Sequence, residues 1–407
     1  MATPDGTLAR RDNYEPTIVT VTLNPAVDLF ISVGELCPGE LHRVEAPQQY
    51  PGGKGINVAK LLAELGITTR ATGFLGGSRG QFIAQELDRL GITSDFVEIA
   101  AETRVNVKVI DAAGNLTEFN SPAPVIRPDE WAQLTEYLRG RGKLARAGAV
   151  AGRAGGVAGA ATVTATGSGD VARAAIATST GAQSWVAYCG NLPAGCREDW
   201  YSEAIRAAKG AGYHTLLDAS GSALARGIEA GPDVIKPNVR ELSDITGRDC
   251  SSVDAVARAA AELVAGGVGI AVVSMGPDGV VAVAGEGWGD VSGPSGNRAV
   301  SAPEHEPSGS AGPPAAVEAL SAARGADNLR AIRVRVPTVP VTSPVGAGDT
   351  VVAALLYGLS RGVPFDEAVR YAAAAGTAKV QKPGNTHPGR DDIAAVLCGT
   401  SVESLQL

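Results

Sequence analysis

The sequence predicts an α/β fold, a parallel sheet covered by helices, with a small separate β-lid. Three observations carry this. Apolar, β-branched runs alternate with segments of helical spacing over most of the 407 residues. The stretch 103–120 breaks that alternation with a hairpin, and a hairpin among βα units belongs off the main sheet. Glycine-rich loops also open two helices, at 51–66 and 343–362, and loops of this kind bring a ligand to the ends of strands.

Taken in order, residues 1–16 are polar and read as a flexible leader without an apolar signal core. TIVTVTL at 17–23 is a buried first strand stopped by Asn24-Pro25, with Asp28 expected in the loop just beyond its carboxyl end. Residues 29–50 alternate loosely, through Leu29, Ile31 and Val33 and again through Leu41, Arg43 and Glu45, as short strands of a flap. PGGKGINVAKLLAELG at 51–66 joins a loop to a helix with Val58, Leu61, Leu62 and Leu65 on one stripe and Gly66 as its stop. In that loop Gly53 permits close backbone approach, Lys54 supplies a point charge, and Asn57 can donate and accept from the first turn. The spacing is not that of a P-loop. A solvated lysine in a flexible turn is the plainer alternative.

Strand, helix and strand follow over 71–99, then the hairpin TRVNVKVID and NLTEFN around Ala113-Gly114. Paired with 28–50 it forms the lid (about 28–50 and 102–122), which would turn Arg104 to the cleft as an anion clamp. Residues 140–181 carry glycine at many positions and almost no large apolar side chains, a composition that cannot offset its ordering entropy and so reads as a disordered or loosely helical excursion. Regular structure resumes with the strand WVAYC at 185–189, a helix near 198–209 and the strand HTLLDAS. At 235–247 a short strand reaches Lys236-Pro237-Asn238 and a helix starts, with Asn238 and Glu241 spaced for a capping box or for facing one site. IAVVSMGPDGVVAVAG is two strands about a turn, placing Ser274 and Gly276 at a strand end. A second excursion, 286–329, is rich in Ser, Pro, Gly and Ala and holds at most a weak helix at 314–324. The strand AIRVRV then leads into SPVGAGDT and its apolar helix, a further helix at 366–384 follows, and 397–407 is expected as a C-terminal tail.

In SPVGAGDT the backbone of Gly346, Ala347 and Gly348 can point N–H groups at one spot beside a positive helix end, and Asp349 stands in the first turn. A base beside an anion hole suits attack by a hydroxyl on a phosphoryl group. Read alone, the string is first of all a glycine turn with Asp349 as an ordinary N-cap. A formal charge of −8 argues against a general nucleic-acid binder, and no apolar run approaches the roughly 18 residues of a membrane span. The five scattered cysteines show no paired metal spacing and suit a reduced, cytoplasmic setting.

TLNPAVD at 22–28, GGKGINVAK at 52–60, ETRVNVK at 102–108, KPNVREL at 236–242, SMGPDG at 274–279 and VGAGDT at 345–350 together resemble the phosphofructokinase B sugar kinases of the ribokinase superfamily. Within it the resemblance is nearest to bacterial 1-phosphofructokinases, then to tagatose-6-phosphate kinases, and covers about 18–396 apart from the two excursions. It implies a ribokinase-like three-layer αβα sandwich with a β-lid over residues 17–396 and two low-complexity insertions at 140–181 and 286–329. It implies a catalytic base at Asp349 and an anion hole at Gly346, Ala347 and Gly348. Asp28, Gly53, Lys54 and Asn57 match sugar-binding positions, and Arg104 the lid residue that reaches the sugar's phosphate. Lys236, Asn238, Glu241, Ser274 and Gly276 fall in the ATP region, with magnesium held by Glu241 through water.

The family usually has Ser-Gly-Ser-Leu-Pro-Pro-Gly beside the substrate phosphate. This chain has Cys189-Gly190-Asn191-Leu192-Pro193-Ala194-Gly195, where Asn191 can still donate a hydrogen bond but is larger than serine. The activity implied is ATP-dependent phosphorylation of a ketose phosphate, fructose 1-phosphate to fructose 1,6-bisphosphate. Tagatose 6-phosphate and fructose 6-phosphate are the competing acceptors, and a catalytically weak sugar-phosphate sensor is the competing class. A homodimer through the lid is also implied.

Overall fold

The computed structural model describes residues 17–44, 46–139, 184–288 and 329–407. The N-terminal leader, nearly all of both excursions and the weak helix expected at 314–324 lie outside the described residues.

Strand β1 (Thr17–Thr22) ends where Pro25 removes a ladder donor, and the chain passes directly into β2 (Ala26–Ser32) and, after a long loop, β3 (Gln48–Gly52). Helix α1 (Lys54–Glu64) buries the Val58, Leu61 and Leu62 stripe, then come β4 (Thr68–Leu75), α2 (Gly77–Arg89) and β5 (Thr93–Glu98). The hairpin β6 (Arg104–Ile110) and β7 (Leu116–Asn120) precedes α3 (Pro128–Leu138), which starts on a proline with Asp129 and Glu130 in its first turn. Then follow β8 (Trp185–Cys189), α4 (Trp200–Gly210), β9 (His214–Asp218), α5 (Gly221–Ile228), β10 (Val234–Ile235), α6 (Val239–Thr246) and α7 (Val253–Ala265). The chain closes with β11 (Ile270–Ser274), β12 (Val280–Ala284), β13 (Arg330–Arg335), α8 (Ala347–Ser360), α9 (Phe365–Val380), α10 (Arg390–Leu397) and β14 (Ser401–Leu405).

Ten strands form one sheet in the order β14-β13-β12-β11-β10-β9-β8-β1-β4-β5, parallel from β11 to β5 and antiparallel from β11 out to β14. Its period-two alternation divides the core. Ile18, Trp185, Ala187, Leu216, Val234 and Val272 pack toward α1, α8, α9 and α10 on one face. Val21, Tyr188, Leu217, Ile235 and Val273 pack toward the helices from α3 to α7 on the other. This is the three-layer αβα sandwich. A second sheet, β3-β2-β6-β7, stands apart as the lid.

Leu41 and Arg43, expected in a short strand, lie in the loop between β2 and β3, and two boundaries also differ from the sequence reading. Asp28 is not in a loop beyond β1 but inside lid strand β2, because Pro25 breaks the first strand without ending the extended run. The C-terminal stretch is not a tail: Ser401–Leu405 adds antiparallel to β13 and covers its edge, with an Arg335–Glu403 ion pair across the join.

Strand β1 sits between β4 and β8, and the chain leaves it toward β4 and β5 before returning on the other side as β8. The carboxyl ends of β1, β8 and β9 therefore flank a topological switch point, where such sheets hold ligands. Helix α8 points its first turn at that place. It is apolar on all sides and buried from Asp349 to Ser360, so its position is fixed by packing against α9 and α1.

Candidate active site

Helix α8 begins at Gly346, whose φ of 78° is left-handed and so favours glycine. The turn delivers Asp349 into the first helical turn, only 7% exposed. Asn57, in the first turn of α1, donates from Nδ2 to Asp349 Oδ2 at 2.8 Å. Helix α1 reaches that point because Gly55 lies directly on β1: a Cβ there would stand 2.4 Å from Thr22 Oγ1. The Asp349 carboxyl is pushed up to about 6, by burial first and by the nearby Asp218 carboxylate second, against the Asn57 hydrogen bond and the Lys54 and Lys236 ammoniums.

Asp218, the last residue of β9, is 1% exposed and bridges two lysines through one oxygen. Lys54 Nζ and Lys236 Nζ each lie 3.4 Å from its Oδ1, while Oδ2 is buried without a hydrogen-bond partner. Lys54 comes from the glycine loop and Lys236 from the end of β10, so the bridge joins two segments 182 residues apart in number, 236 less 54. Lys236 Nζ also lies 3.4 Å from where a Cβ on Gly348 would stand, which sets an ammonium against the turn before Asp349. Burial works against the Lys54 charge, but Asp218, then Asp349 and Glu241, hold its pKa above the ordinary value.

On the lid side Asp28 is buried between two neighbours on β6. Asn106 Nδ2 donates to its Oδ1 at 3.1 Å, and Lys108 Nζ pairs with its Oδ2 at 3.3 Å. Lys108 is itself buried, 5.3 Å over the Phe30 ring, with Glu118 at 3.5 Å. Arg104 opens β6 opposite Ala26, and its guanidinium donates to Ser121 O at 3.1 Å and Asn24 O at 3.4 Å, with Nε buried and unpartnered. Burial lowers its pKa and Asp28 opposes the shift.

On the other side Asn238 pairs with Ser274 in an isolated parallel bridge, so the ends of β10 and β11 meet and Gly276 follows in a short 3₁₀ turn. Asn238 and Glu241 form the capping box: Glu241 N donates to Asn238 Oδ1 at 2.8 Å and Asn238 N to Glu241 Oε2 at 2.9 Å. Asn191 is exposed beyond β8, and its Oδ1 accepts from Ser220 Oγ at 2.7 Å and Ser220 N at 3.2 Å. Among the described residues no group of three or more His, Cys, Asp or Glu side chains forms a metal centre. The donor chemistry nevertheless suits magnesium carried on a nucleotide, because that ion keeps its waters and needs only a hard carboxylate oxygen from the protein, such as that of Glu241.

The structure thus gathers Gly346, Ala347, Gly348, Asp349, Asn57, Lys54 and Lys236 at one point, and sets Asp28 and Arg104 in the lid. Asp218, Asn106, Lys108 and Asn385 are additions. Asp218 was the legible one, an acid at the carboxyl end of an apolar strand. Asn385, whose Nδ2 donates to Asn57 Oδ1 at 3.2 Å, carries no sequence signal that ties it to Asn57, 328 residues earlier.

The model of the "pfkB family carbohydrate kinase" matches residues 21–140, 180–302 and 322–392. The intervals it leaves out, 141–179 and 303–321, fall inside the two excursions. The chain is 30% identical over 393 residues to a 1-phosphofructokinase of Rhodobacter capsulatus, spanning 95% of this chain and 98% of that one. A 1-phosphofructokinase of Borreliella burgdorferi is 29% identical, with 95% and 99% covered. Among solved structures, phosphofructokinase-2 from Escherichia coli in complex with substrates and products superposes with a TM-score of 0.70 at 26% identity, covering 94% of this chain and 98% of that one. The chain belongs to the pfkB family of carbohydrate kinases, and is a phosphotransferase with an alcohol group as acceptor.

The Asp218→Asn variant removes the negative neighbour that lifts Asp349 and frees the Lys54 and Lys236 charges toward it, and both changes favour the carboxylate. Its Asp349 carboxyl is expected to titrate below about 6, read by carbonyl NMR against an Asp349→Asn control. An unchanged or raised midpoint would show that the bridge does not set the acidity of Asp349.

Proposed function

We propose that this pfkB-family kinase transfers the γ-phosphoryl group of ATP to the free primary hydroxyl of fructose 1-phosphate, giving fructose 1,6-bisphosphate. The observation that carries the reading is the buried Asp349 at the helix mouth, raised to about 6 and facing two ammoniums. A carboxylate near neutrality takes a hydroxyl proton at little cost, and a fully buried one is not there as a surface cap. The fructose phosphate rests on the relatives' names, and Lys54 in the glycine loop, where 6-phosphofructokinases of the family tend to have glycine, favours the 1-phosphofructokinase or tagatose-6-phosphate kinase type.

In this reading the lid sheet closes over the sugar, with Asp28 held by Asn106 and Lys108 to accept from its hydroxyls and Arg104 and Asn191 toward its phosphate. Asn57 and Gly53 complete the sugar side. The hydroxyl lies between Asp349 and the phosphoryl group. Asp349 takes its proton as the new O–P bond forms, and the nucleoside diphosphate leaves with the electrons of the broken bond. The N–H groups of Gly346, Ala347 and Gly348 meet the charge on the transferring group, and Lys54 and Lys236 neutralise it from either side of Asp218. Little covalent work is asked of the protein, because phosphoryl transfer passes through a loose transition state governed by position and charge. Lys236, Asn238, Ser274 and Gly276 line the nucleotide end. Magnesium, when bound, neutralises the phosphates, with Glu241 reaching it through water. A closed lid excludes water, which would otherwise take the phosphoryl group.

The lid also supports pairing of two copies. Its edge strands β3 and β7 are open, and Leu41 at 83% and Phe119 at 57% exposure stand on lid segments.

Asp349→Asn is expected to lower kcat on the order of 10²-fold to 10⁴-fold, with sugar-phosphate binding largely kept, in a coupled assay of nucleoside diphosphate release. Wild-type turnover in the variant would remove Asp349 as the base. Comparing kcat/KM on fructose 1-phosphate, tagatose 6-phosphate and fructose 6-phosphate tests the acceptor, and a preference for either 6-phosphate overturns the assignment. A sugar phosphate bound with no ATP consumed at all would favour the sensor. Sedimentation should show a dimer that Phe119→Lys weakens, and a monomer at assay concentration would dismiss the lid pairing.

A further inference from the structure

The segment 382–387 between α9 and α10 has no part in the reaction as described above. Its backbone is pinned from two sides: the Lys379 ammonium donates to Gly384 O at 3.1 Å, and Ser343 Oγ to the same carbonyl at 3.5 Å. Gly384 also lies against the lid, where a Cβ would come 3.3 Å from the Phe30 ring. The next residue, Asn385, is 4% exposed. Its Nδ2 donates to Asn57 Oδ1 at 3.2 Å, and its Oδ1 stands 3.5 Å from where a Cβ on Gly346 would be, with no hydrogen-bond partner.

Three buried side chains therefore form a line: Asn385 donates to Asn57, and Asn57 donates to Asp349 at 2.8 Å. A carboxamide has a donating end and an accepting end, and a half-turn exchanges them. The turned Asn57 would aim its carbonyl oxygen at the Asp349 carboxylate. The donor that Asn385 offers to Asn57 Oδ1 matches only the unturned amide.

We propose that Asn385 is a positioning residue for phosphoryl transfer, which locks the Asn57 carboxamide with its N–H toward Asp349 and so fixes both the place and the acidity of the base. The inference rests on the reading of Asp349 as that base. Asp349 is also faced by Lys54 and Lys60 of α1, Cys189 at the end of β8, Asp218 at the end of β9, Lys236 beyond β10 and Lys379 of α9. A substitution at 385 leaves all six in place. The Asn57 hydrogen bond holds the Asp349 pKa down against burial, so its loss moves the pKa up and shrinks the fraction ready to accept a proton at neutral pH.

The test uses the full chain with Asn385→Ala and the near-isosteric Asn385→Asp, which keeps the volume but turns the donor into an acceptor. Both are expected to move the acid limb of the kcat–pH profile to higher pH and to lower kcat on the order of 10-fold at neutral pH, with KM for the sugar phosphate changed less. Asn385→Asp should be the worse of the two, because it favours the turned amide. In an Asn57→Ala background, Asn385→Ala should cost less than about a further twofold, since the two residues act as one unit. Wild-type profiles in both single variants, or costs that multiply in full in the double variant, would overturn the proposal. If the wild-type chain transfers no phosphoryl group, the functional reading fails by itself. The Asp349 titration followed by carbonyl NMR still decides the matter at Asn385: a raised midpoint in Asn385→Ala, which adds no charge of its own, supports the lock, and an unmoved one ends it.

Discussion

A carboxylate buried to 7% exposure has to be compensated, and the arrangement around Asp349 is the set of groups that does so. The first turn of α8 offers its positive end, Asn57 donates at 2.8 Å, and two ammoniums stand nearby around Asp218. Against these act the loss of water and the Asp218 charge. The opposing effects leave the carboxyl near about 6, ionised at neutral pH yet basic enough to take a proton. A surface aspartate needs no such surroundings and would be a far weaker base. Moving any one of these groups shifts the balance, so the glycine turn, α1 and the ends of β9 and β10 are all constrained by one side chain.

The sheet topology delivers those groups to one place. Because β1 lies between β4 and β8, the loop after β1 and the strand ends of β8, β9 and β10 open on the same side, and the apolar helix α8 inserts its mouth there. The lid belongs to the same solution. Strand β2 follows β1 across Pro25, and β3 runs straight into the Gly53 loop, so the covering sheet is spliced to the segments that line the site. Burial of α8 on every face means that it cannot rotate to accommodate a change at its N-terminus.

Much of this was legible in the residues. The strand runs at 17–23, 185–189 and 270–285 are β-branched or apolar enough to be read directly, and the glycine loops mark both functional helix mouths. Short elements were less so. Ser401–Leu405 is SVESL, whose polar alternation resembles a solvated tail until β13 supplies a partner. Helix α7 carries a clear Ser252 cap and buries Val256, Ala257, Ala260, Leu263 and Val264 along one stripe, a signal that the sequence reading passed over. Asp28 was placed in the wrong element, since a proline that ends one strand can leave the next residues extended. The residues that fix others were the hardest to see. Nothing local says that Asp218 holds two lysines, or that Asn385 meets Asn57, because the chain brings those pairs together only through the sheet and the packing of α9.

The charges around the site show what its contacts leave unfinished. Asp28 is balanced by Lys108 and Asp218 by Lys54 and Lys236, so these ammoniums sit beside carboxylates. Lys60 and Lys379 do not. Among the described residues their ammoniums reach the backbone carbonyls of Pro51 and Gly384, and burial brings both down to about 8. His387 beside them is driven to about 3 by burial and by the same two lysines, and is neutral at physiological pH. A chain of net charge −8 thus gathers an excess of buried cations against the glycine turn and the lid. Apolar packing alone would select against such a cluster, since each unmatched ammonium weakens the fold. The cost is understandable where the occupants are polyanions: a phosphorylated sugar and a nucleotide bring negative charge, and the same desolvation that burdens these ammoniums strengthens each contact with such a ligand.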